Sequence, residues 1–356
     1  MVIVCHQAQA FHHLPAPVSV LASYMQTGVF LFFIASAFTL CNSAVERSDE
    51  CNKIRNFFLR RFFRIAPLYY VGIGLFWIIK SFLPQLVRGY VSAFTGVDLI
   101  ANLLLLHGLL PATFEGLVPG GWSIGTEWAF YLMFPVLFPA CCWLRDLWGW
   151  KALILPLTAL TAAAGLVVTN VGMNNGIYWF WYDSIVNQLP IFMVGIILFM
   201  ATNEGAFRPN LWRDVPGFLL AGSVALWALY VHLFGILPLT SAISFVFLFN
   251  ILRITSTSYG LVERIGRASY SMYVFHTIFA VCITRAILSS VEIPDSLITA
   301  AFGIACVASV SATFLVGRAS EKLIEHPFIA LGRRLSELHW SETQSGSERP
   351  SAPKGG

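Results

Sequence analysis

The sequence predicts an all-α fold, a polytopic membrane helix bundle of about ten transmembrane helices with the first truncated, and three observations carry that prediction. Of 356 residues, 57% are hydrophobic and only 11% charged, whereas a soluble domain is roughly a quarter charged. Mean hydropathy is +0.72. Apolar stretches near the roughly 20 residues that a helix needs to cross a bilayer recur along nearly the whole length. They leave no room for a sizeable soluble domain, so the chain divides into one membrane domain, 1–335, and a tail, 336–356.

Taken in order, residues 1–5 are apolar but too short to span, and they carry neither the charged n-region nor the cleavage site of a signal peptide. They read as the end of a helix whose start lies upstream. Candidate spans follow at 20–41, 66–83, 122–144, 150–169, 185–201, 216–236, 239–254, 268–288 and 296–316. The apolar stretch 99–110 is shorter and is expected to be re-entrant or interfacial. The tail is rich in Ser, Glu, Gly and Pro and poor in apolar residues, a composition that favours disorder.

Charge tests the order of crossings, because Lys and Arg of short loops collect on the cytoplasmic side. With Arg47, Lys53, Arg55, Arg60, Arg61 and Arg64 inside and 99–110 not crossing, the basic groups Arg145 and Lys151, Arg208 and Arg213, Arg253, Arg264 and Arg267, and Arg318 and Lys322 also fall inside. If 99–110 crosses, all the later basic loops flip outward. The first arrangement gives both termini in the cytoplasm. The loop 170–183 and the turn 289–295, which contain no Lys or Arg, then face outward.

Composition also excludes several functions. The net charge of +4 is spread over loops rather than gathered in a patch that could meet nucleic acid. Seven cysteines with no C-x-x-C pair support neither a disulfide framework nor a metal site, and buried thiols pack as small hydrophobes.

Ionisable groups at membrane depth are costly and need a partner or a function. His6, Glu127 and His276 fall in such positions. Arg60, Arg61 and Arg64 lie at the mouth of a span, and Arg61 and Arg64, three apart, share a helix face.

Four stretches carry a family resemblance. Gly28, Val29, Leu31, Phe32, Phe33, Ser36, Ala37 and Phe38 lead to Arg61, Arg64, Ile65 and Pro67. Next come Gly121, Trp122, Ser123, Glu127, Phe130, Tyr131, Leu132 and Pro135, then Gly266, Ser269, Tyr270, Tyr273 and His276, and finally Glu325 with Pro327. The order and spacing resemble the membrane-bound acyltransferase 3 family, whose members O-acylate sugars of lipopolysaccharide, peptidoglycan, exopolysaccharide or small glycosides. Ala37 stands where that family has glycine, a small loss of close packing. The family's first helix carries an arginine ten residues before a catalytic histidine. Val2 to His6 resembles the end of that helix, which makes His6 the implied base, and the arginine's position falls before Met1.

The resemblance implies an enzyme that moves an acyl group, expected to be acetyl, from acyl-CoA to a hydroxyl of a carbohydrate or glycolipid acceptor, in a bacterial inner membrane and with no metal. The chemistry agrees: the attacking hydroxyl needs a base, and neutral imidazole suits that near pH 7. Glu127 is a second catalytic candidate that would orient the imidazole or stabilise its charge. Arg61 and Arg64 are assigned to the CoA phosphates, which guanidinium groups bind bidentately. Trp122, Ser123, Tyr131 and His276 are expected to line the substrate cavity. Each has a plainer alternative: lipid headgroups for the arginines, an aromatic belt for Trp122 and Tyr131, a structural pair for Glu127, and a hydrogen-bonded cavity residue for His276. A polytopic permease for a glycoside or lipid-linked sugar is the alternative function that buried ionisable groups on about ten helices also allow.

Overall fold

The computed structural model describes residues 1–11, 14–84, 95–255, 260–290 and 293–347, and all regular structure among them is helical. The helices are α1 (Val2–Ala10), α2 (Ala16–Tyr24), α3 (Gly28–Glu46), α4 (Lys53–Phe82), α5 (Gly96–Leu103), α6 (Gly121–Trp148), α7 (Ile154–Leu166), α8 (Tyr178–Asp183), α9 (Ile185–Asn203), α10 (Leu211–Tyr230), α11 (Leu237–Thr255), α12 (Gly260–Arg267), α13 (Ser269–Ser290), α14 (Ile298–Ser320) and α15 (His326–Ser347).

Eight helical stretches among the described residues are long and apolar enough to cross a membrane. Seven of the spans read from the sequence are among them by themselves or lengthened by their neighbours, and the chain joins α2 to α3 through a 3-10 turn, Met25–Thr27, into one such stretch, Ala16–Glu46. The segment expected at 216–236 differs. It forms α10, which starts with Arg213 and Asp214 in its first turns and stops at Tyr230, so its apolar run is too short to join the eight.

Aromatic stacking ties the centre together. Phe192 of α9 stacks on Phe33 of α3 at 4.6 Å and on Phe130 of α6 at 4.0 Å between ring centroids, and such aromatic side chains contribute much of a core's buried area. The stretch that contains α9 is the most enclosed of the eight, and that containing α7 lies outermost. Around this centre, α10 and α11 form one hairpin, and α13 and α14 form another against which the short α1 is lodged.

The stretch 99–110 forms no helix of spanning length. Helix α5 is eight residues long, about 12 Å at 1.5 Å per residue, and a capping box of Thr95 and Asp98 starts it. The following turn packs onto α6 through glycines: a Cβ on Gly108 would lie 2.7 Å from the Gly125 backbone, so only a residue without a side chain lets the segment lie this close. His107 Nε2 donates to the Gly121 carbonyl at 2.8 Å, and Asn102 Oδ1 accepts from Tyr69 at 2.6 Å and from the Leu117 amide at 3.0 Å. These bonds engage most polar groups of an irregular segment set against apolar helices, and the buried Nδ1 of His107 is left without a partner among the described residues.

At the other end α15 packs along α4, with Gly332 against Phe63, and it continues to Ser347. The tail expected to be disordered from 336 is therefore helical as far as 347, and 348–356 lie outside the described residues, as do 291 and 292 in the turn 289–295.

Candidate active site

Helix α6 presents Ser123, Glu127 and Tyr131 at four-residue intervals, so the three share one face. Glu127 is buried at 3% exposure. Its Oε1 accepts from the Tyr131 hydroxyl at 2.5 Å and from Ser36 Oγ of α3 at 2.6 Å. Hydrogen bonds to a charged acceptor stabilise by roughly 1.5–3 kcal/mol each, so this pair compensates part of the cost of burying a carboxylate. Arg61 of α4 approaches the same group from the other side. Its guanidinium lies over the Tyr131 ring at 5.7 Å and the Phe57 ring at 5.9 Å, Arg64 and Arg61 both lie within electrostatic range of Glu127, and the Arg61 Nε has no hydrogen-bond partner among the described residues.

Glu127 and His276 open onto one cavity of about 360 Å³. Ser123 of α6 and Tyr273 of α13 add hydroxyls to its wall, and Val29, Phe32, Ile124 and Met272 make the rest apolar. Ser123 Oγ donates to Tyr273 Oη at 2.7 Å, and Tyr273 donates to the Gly120 carbonyl at 2.9 Å. This network fixes the N-terminal end of α6 against α13.

His276 is 1% exposed. Its Nδ1 lies 2.5 Å from the Tyr273 carbonyl, and since a carbonyl can only accept, Nδ1 carries the proton and Nε2 keeps the lone pair. The His6 ring of α1 sits against it, with centroids 5.0 Å apart and planes at 41°. His6 Nδ1 is 3.1 Å from Gln9 Oε1. Glu127 is thus bonded to Ser36 and Tyr131, while the groups found beside the His6 imidazole are Gln9 and His276.

The sequence-derived candidates therefore divide. Ser123, Glu127 and His276 line the cavity, and His6 touches His276. Tyr131 acts on Glu127 from behind that wall, and Trp122 packs edge-on to Phe33 at 6.3 Å without joining the cavity lining. Arg61 and Arg64 part company. Arg61 turns inward to Tyr131, whereas exposed Arg64 borders a second cavity of about 460 Å³ with Arg267, Glu263, Glu321, Glu325 and His326. The two cavities meet the chain at adjoining positions, Ile265 and Ser269 in the first and Gly266 and Arg267 in the second. Glu325 accepts from Ser271, which holds the start of α15 to α13.

Some partners carry no separate sequence signal. Ser36 belongs to the motif on α3, yet nothing in the sequence ties it to Glu127. Gln7 is buried between α13 and α14: its Nε2 donates to Thr284 Oγ1 at 2.5 Å, and its Oε1 accepts from Ser309 Oγ at 3.0 Å. An amide inside an apolar run, next to a histidine, is the only hint the sequence offers.

A helical membrane protein whose buried Glu127 carboxylate and His276 imidazole line one apolar-walled cavity matches the profile described as an acyltransferase domain, Acyl_transf_3, over residues 1–318. The chain belongs to the acyltransferase 3 family and is a membrane acyltransferase. Acyltransferase MdmB of Streptomyces mycarofaciens is 25% identical over 357 residues, covering 94% of this chain and 89% of that protein. No solved structure matches.

Proposed function

We propose that the chain is an O-acyltransferase that moves an acetyl group from acetyl-CoA to a hydroxyl of a carbohydrate-containing acceptor, such as a surface polysaccharide, lipopolysaccharide or glycolipid. The observation that carries this reading is the convergence of Glu127 and His276, with His6 behind, on one cavity that adjoins the charged pocket where Arg64 and Arg267 lie among three glutamates. In this reading the protein lies in a bacterial inner membrane, with about ten spans and with both termini in the cytoplasm, where the CoA pool is.

The thioester enters from the Arg64 side, where the guanidinium groups of Arg64 and Arg267 attract its phosphates. An imidazole of the His6 site takes the proton of the acceptor hydroxyl as its oxygen attacks the thioester carbonyl. The buried negative charge of Glu127 favours the imidazolium that forms. Ser123 and Tyr273 offer hydroxyls to orient the acceptor, and the apolar wall keeps bulk water from the thioester.

Membranes from cells expressing the chain, given acetyl-labelled CoA and lipid-linked or free glycosides, should release CoA thiol and place label in an alkali-labile ester on the glycoside. Vector-matched membranes supply the baseline. Uptake of glycoside with no thiol release would replace this reading with the permease.

A further inference from the structure

We propose that His276 is a second catalytic histidine, and that His276 and His6 work as one acid–base unit in which His276 meets the acceptor hydroxyl. The proposal rests on the acetyl-transfer reading above and names the residue at its reacting end.

Three observations carry it. First, His276 belongs to the cavity wall, whereas from α1 the wall takes Met1, Val2 and Ile3; His6 reaches the site through the His276 ring at 5.0 Å. Second, the Nδ1 bond to the Tyr273 carbonyl fixes the tautomer with the lone pair on Nε2. The only hydrogen-bond partner of that nitrogen among the described residues is its own neighbour, Thr277 Oγ1, at the long distance of 3.3 Å. Third, His6 is anchored the same way, by Nδ1 on Gln9 Oε1, so that two imidazoles lie ring to ring with each Nδ1 engaged and each Nε2 left as the basic atom. A histidine that only fills a helix interface needs no second imidazole beside it. The polar groups facing the pair are Ser123 and Glu127 from α6, Tyr273 and Thr277 from α13 and Gln9 from α1.

The step balances without any added reagent. The acceptor O–H bond breaks and its proton passes to Nε2 of His276 while the oxygen bonds to the thioester carbonyl carbon. The tetrahedral adduct collapses, the C–S bond breaks with its electron pair going to sulfur, and the imidazolium returns the proton to the thiolate. The products are the O-acyl ester and CoA thiol. While His276 carries the proton, the ring 5.0 Å away on His6 is held neutral, since two imidazoles this close favour one charge over two.

Two isosteres separate this role from the alternatives. His276→Asn keeps a donor at the Nδ1 position for the Tyr273 carbonyl but has no base, and His276→Gln keeps a hydrogen-bond donor at the Nε2 position but cannot take a proton. Both variants should lose about 100-fold or more in kcat, the usual contribution of a positioned base, with KM for acetyl-CoA within threefold. His6→Asn combined with His276→Asn should be no worse than the weaker single variant, the signature of groups that act together. An Asn variant within fivefold of wild type reduces His276 to an anchor, a Gln variant that alone stays active makes it a substrate hydrogen-bond donor, and additive losses separate the two histidines; each of these overturns the unit.

Diethyl pyrocarbonate on the unmutated protein gives a readout independent of variant folding. Inactivation should coincide with carbethoxylation of His276 found by peptide mass spectrometry, and acetyl-CoA should protect it. Inactivation with His276 unmodified rejects the proposal. Wild-type membranes that transfer nothing from acetyl-CoA reject the acetyl-transfer reading itself, and the unit with it. An active wild type with an unimpaired Asn variant rejects the unit alone.

Discussion

Gln7 bridges two helices at once, with Nε2 on Thr284 of α13 and Oε1 on Ser309 of α14. Because Gln7 follows His6 directly, this bridge sets the rotation of α1, and with it the face on which the His6 ring meets His276. A nine-residue helix has little stability of its own, so tertiary anchoring decides where it sits. Replacing Gln7 by Leu keeps the volume but leaves the hydroxyl of Ser309 without its acceptor in a buried site, at a cost of about 1–3 kcal/mol. The expected result is a lower thermal midpoint of the purified protein and a kcat reduced tenfold or more with an unchanged KM for acetyl-CoA. Full kcat in the Leu variant would show that α1 is placed by its apolar contacts alone.

The carboxylate of Glu127 separates into two contributions. Glu127→Gln keeps an oxygen that can accept from Tyr131 and Ser36 and removes only the charge that faces Arg61. Glu127→Ala removes the acceptor as well and leaves the buried Tyr131 hydroxyl with only its long contact to Ser36, at 3.4 Å. The Gln variant should fold like the wild type and lose at least tenfold in turnover, whereas the Ala variant should also lose thermal stability, by about 2 kcal/mol or more. Wild-type turnover in the Gln variant would assign Glu127 a structural role.

The two arginines should respond differently to the same change. Arg64→Lys keeps the charge at an exposed pocket edge but gives up the planar fork, so KM for acetyl-CoA should rise about tenfold, with kcat nearly constant if the fork binds phosphate. Arg61→Lys removes the guanidinium plate that covers the Tyr131 and Phe57 rings, an interaction of about 2 kcal/mol when desolvated. Its first effect should therefore be on stability. An unchanged KM for the Arg64 variant would leave that residue a headgroup anchor.

Most of the fold was legible in the sequence because hydropathy measures the property that a bilayer selects. The short helix at 99–110 was legible from the length of its apolar run, and Glu127 and His276 stood out because ionisable groups are rare in such runs. What the sequence could not supply is contact between elements far apart in the chain. His6 and His276 lie 270 residues apart, and nothing local says that α1 lodges against α13 with those two rings together. Ser36 and Glu127 meet for the same non-local reason, and Arg61 and Arg64, which share a face, reach different cavities because Arg61 is drawn to the rings beside it. The helix of 336–347 was missed on other grounds. Composition reports how much a segment can bury, not whether a helix already started against α4 continues through it.

Acid should expose the pair at the loop between α3 and α4. Burial pushes the Glu50 carboxyl up, but the bidentate bonds to Arg60 at 2.7 and 2.9 Å, aided by the Asn56 amide, outweigh it and hold the group below its ordinary value. A carboxylate depressed in the folded state stabilises above its unfolded pKa, about 4.3. That contribution is lost as pH falls through the lower folded value. Between pH 6 and pH 3 the wild type should therefore lose more of its thermal midpoint than Glu50→Gln, which never had the charge. Parallel losses in the two proteins would mean that the pair adds no pH-dependent stability.

The alanine at position 37 leads to the last prediction. Ala37 places a methyl group on the face of α3 that meets α9, and the room for it comes from the opposite helix. A Cβ on Gly195 would lie 2.7 Å from Ala37 Cβ and 2.6 Å from the Ile34 carbonyl oxygen, so Gly195 is where the two backbones come closest. Small residues at such crossings allow the packing that holds membrane helices together. Gly195→Ala should push α9 off α3 and cost about 1–3 kcal/mol, as overpacking of a tight interior does, despite the better helix propensity of alanine. Ala37→Gly should be mild by comparison. The double variant should recover only part of the loss, since the Ile34 carbonyl still blocks the new methyl. Thermal unfolding of the three proteins in one detergent decides it, and a Gly195→Ala variant as stable as the wild type would show that the α3–α9 crossing is loose enough to absorb a methyl group.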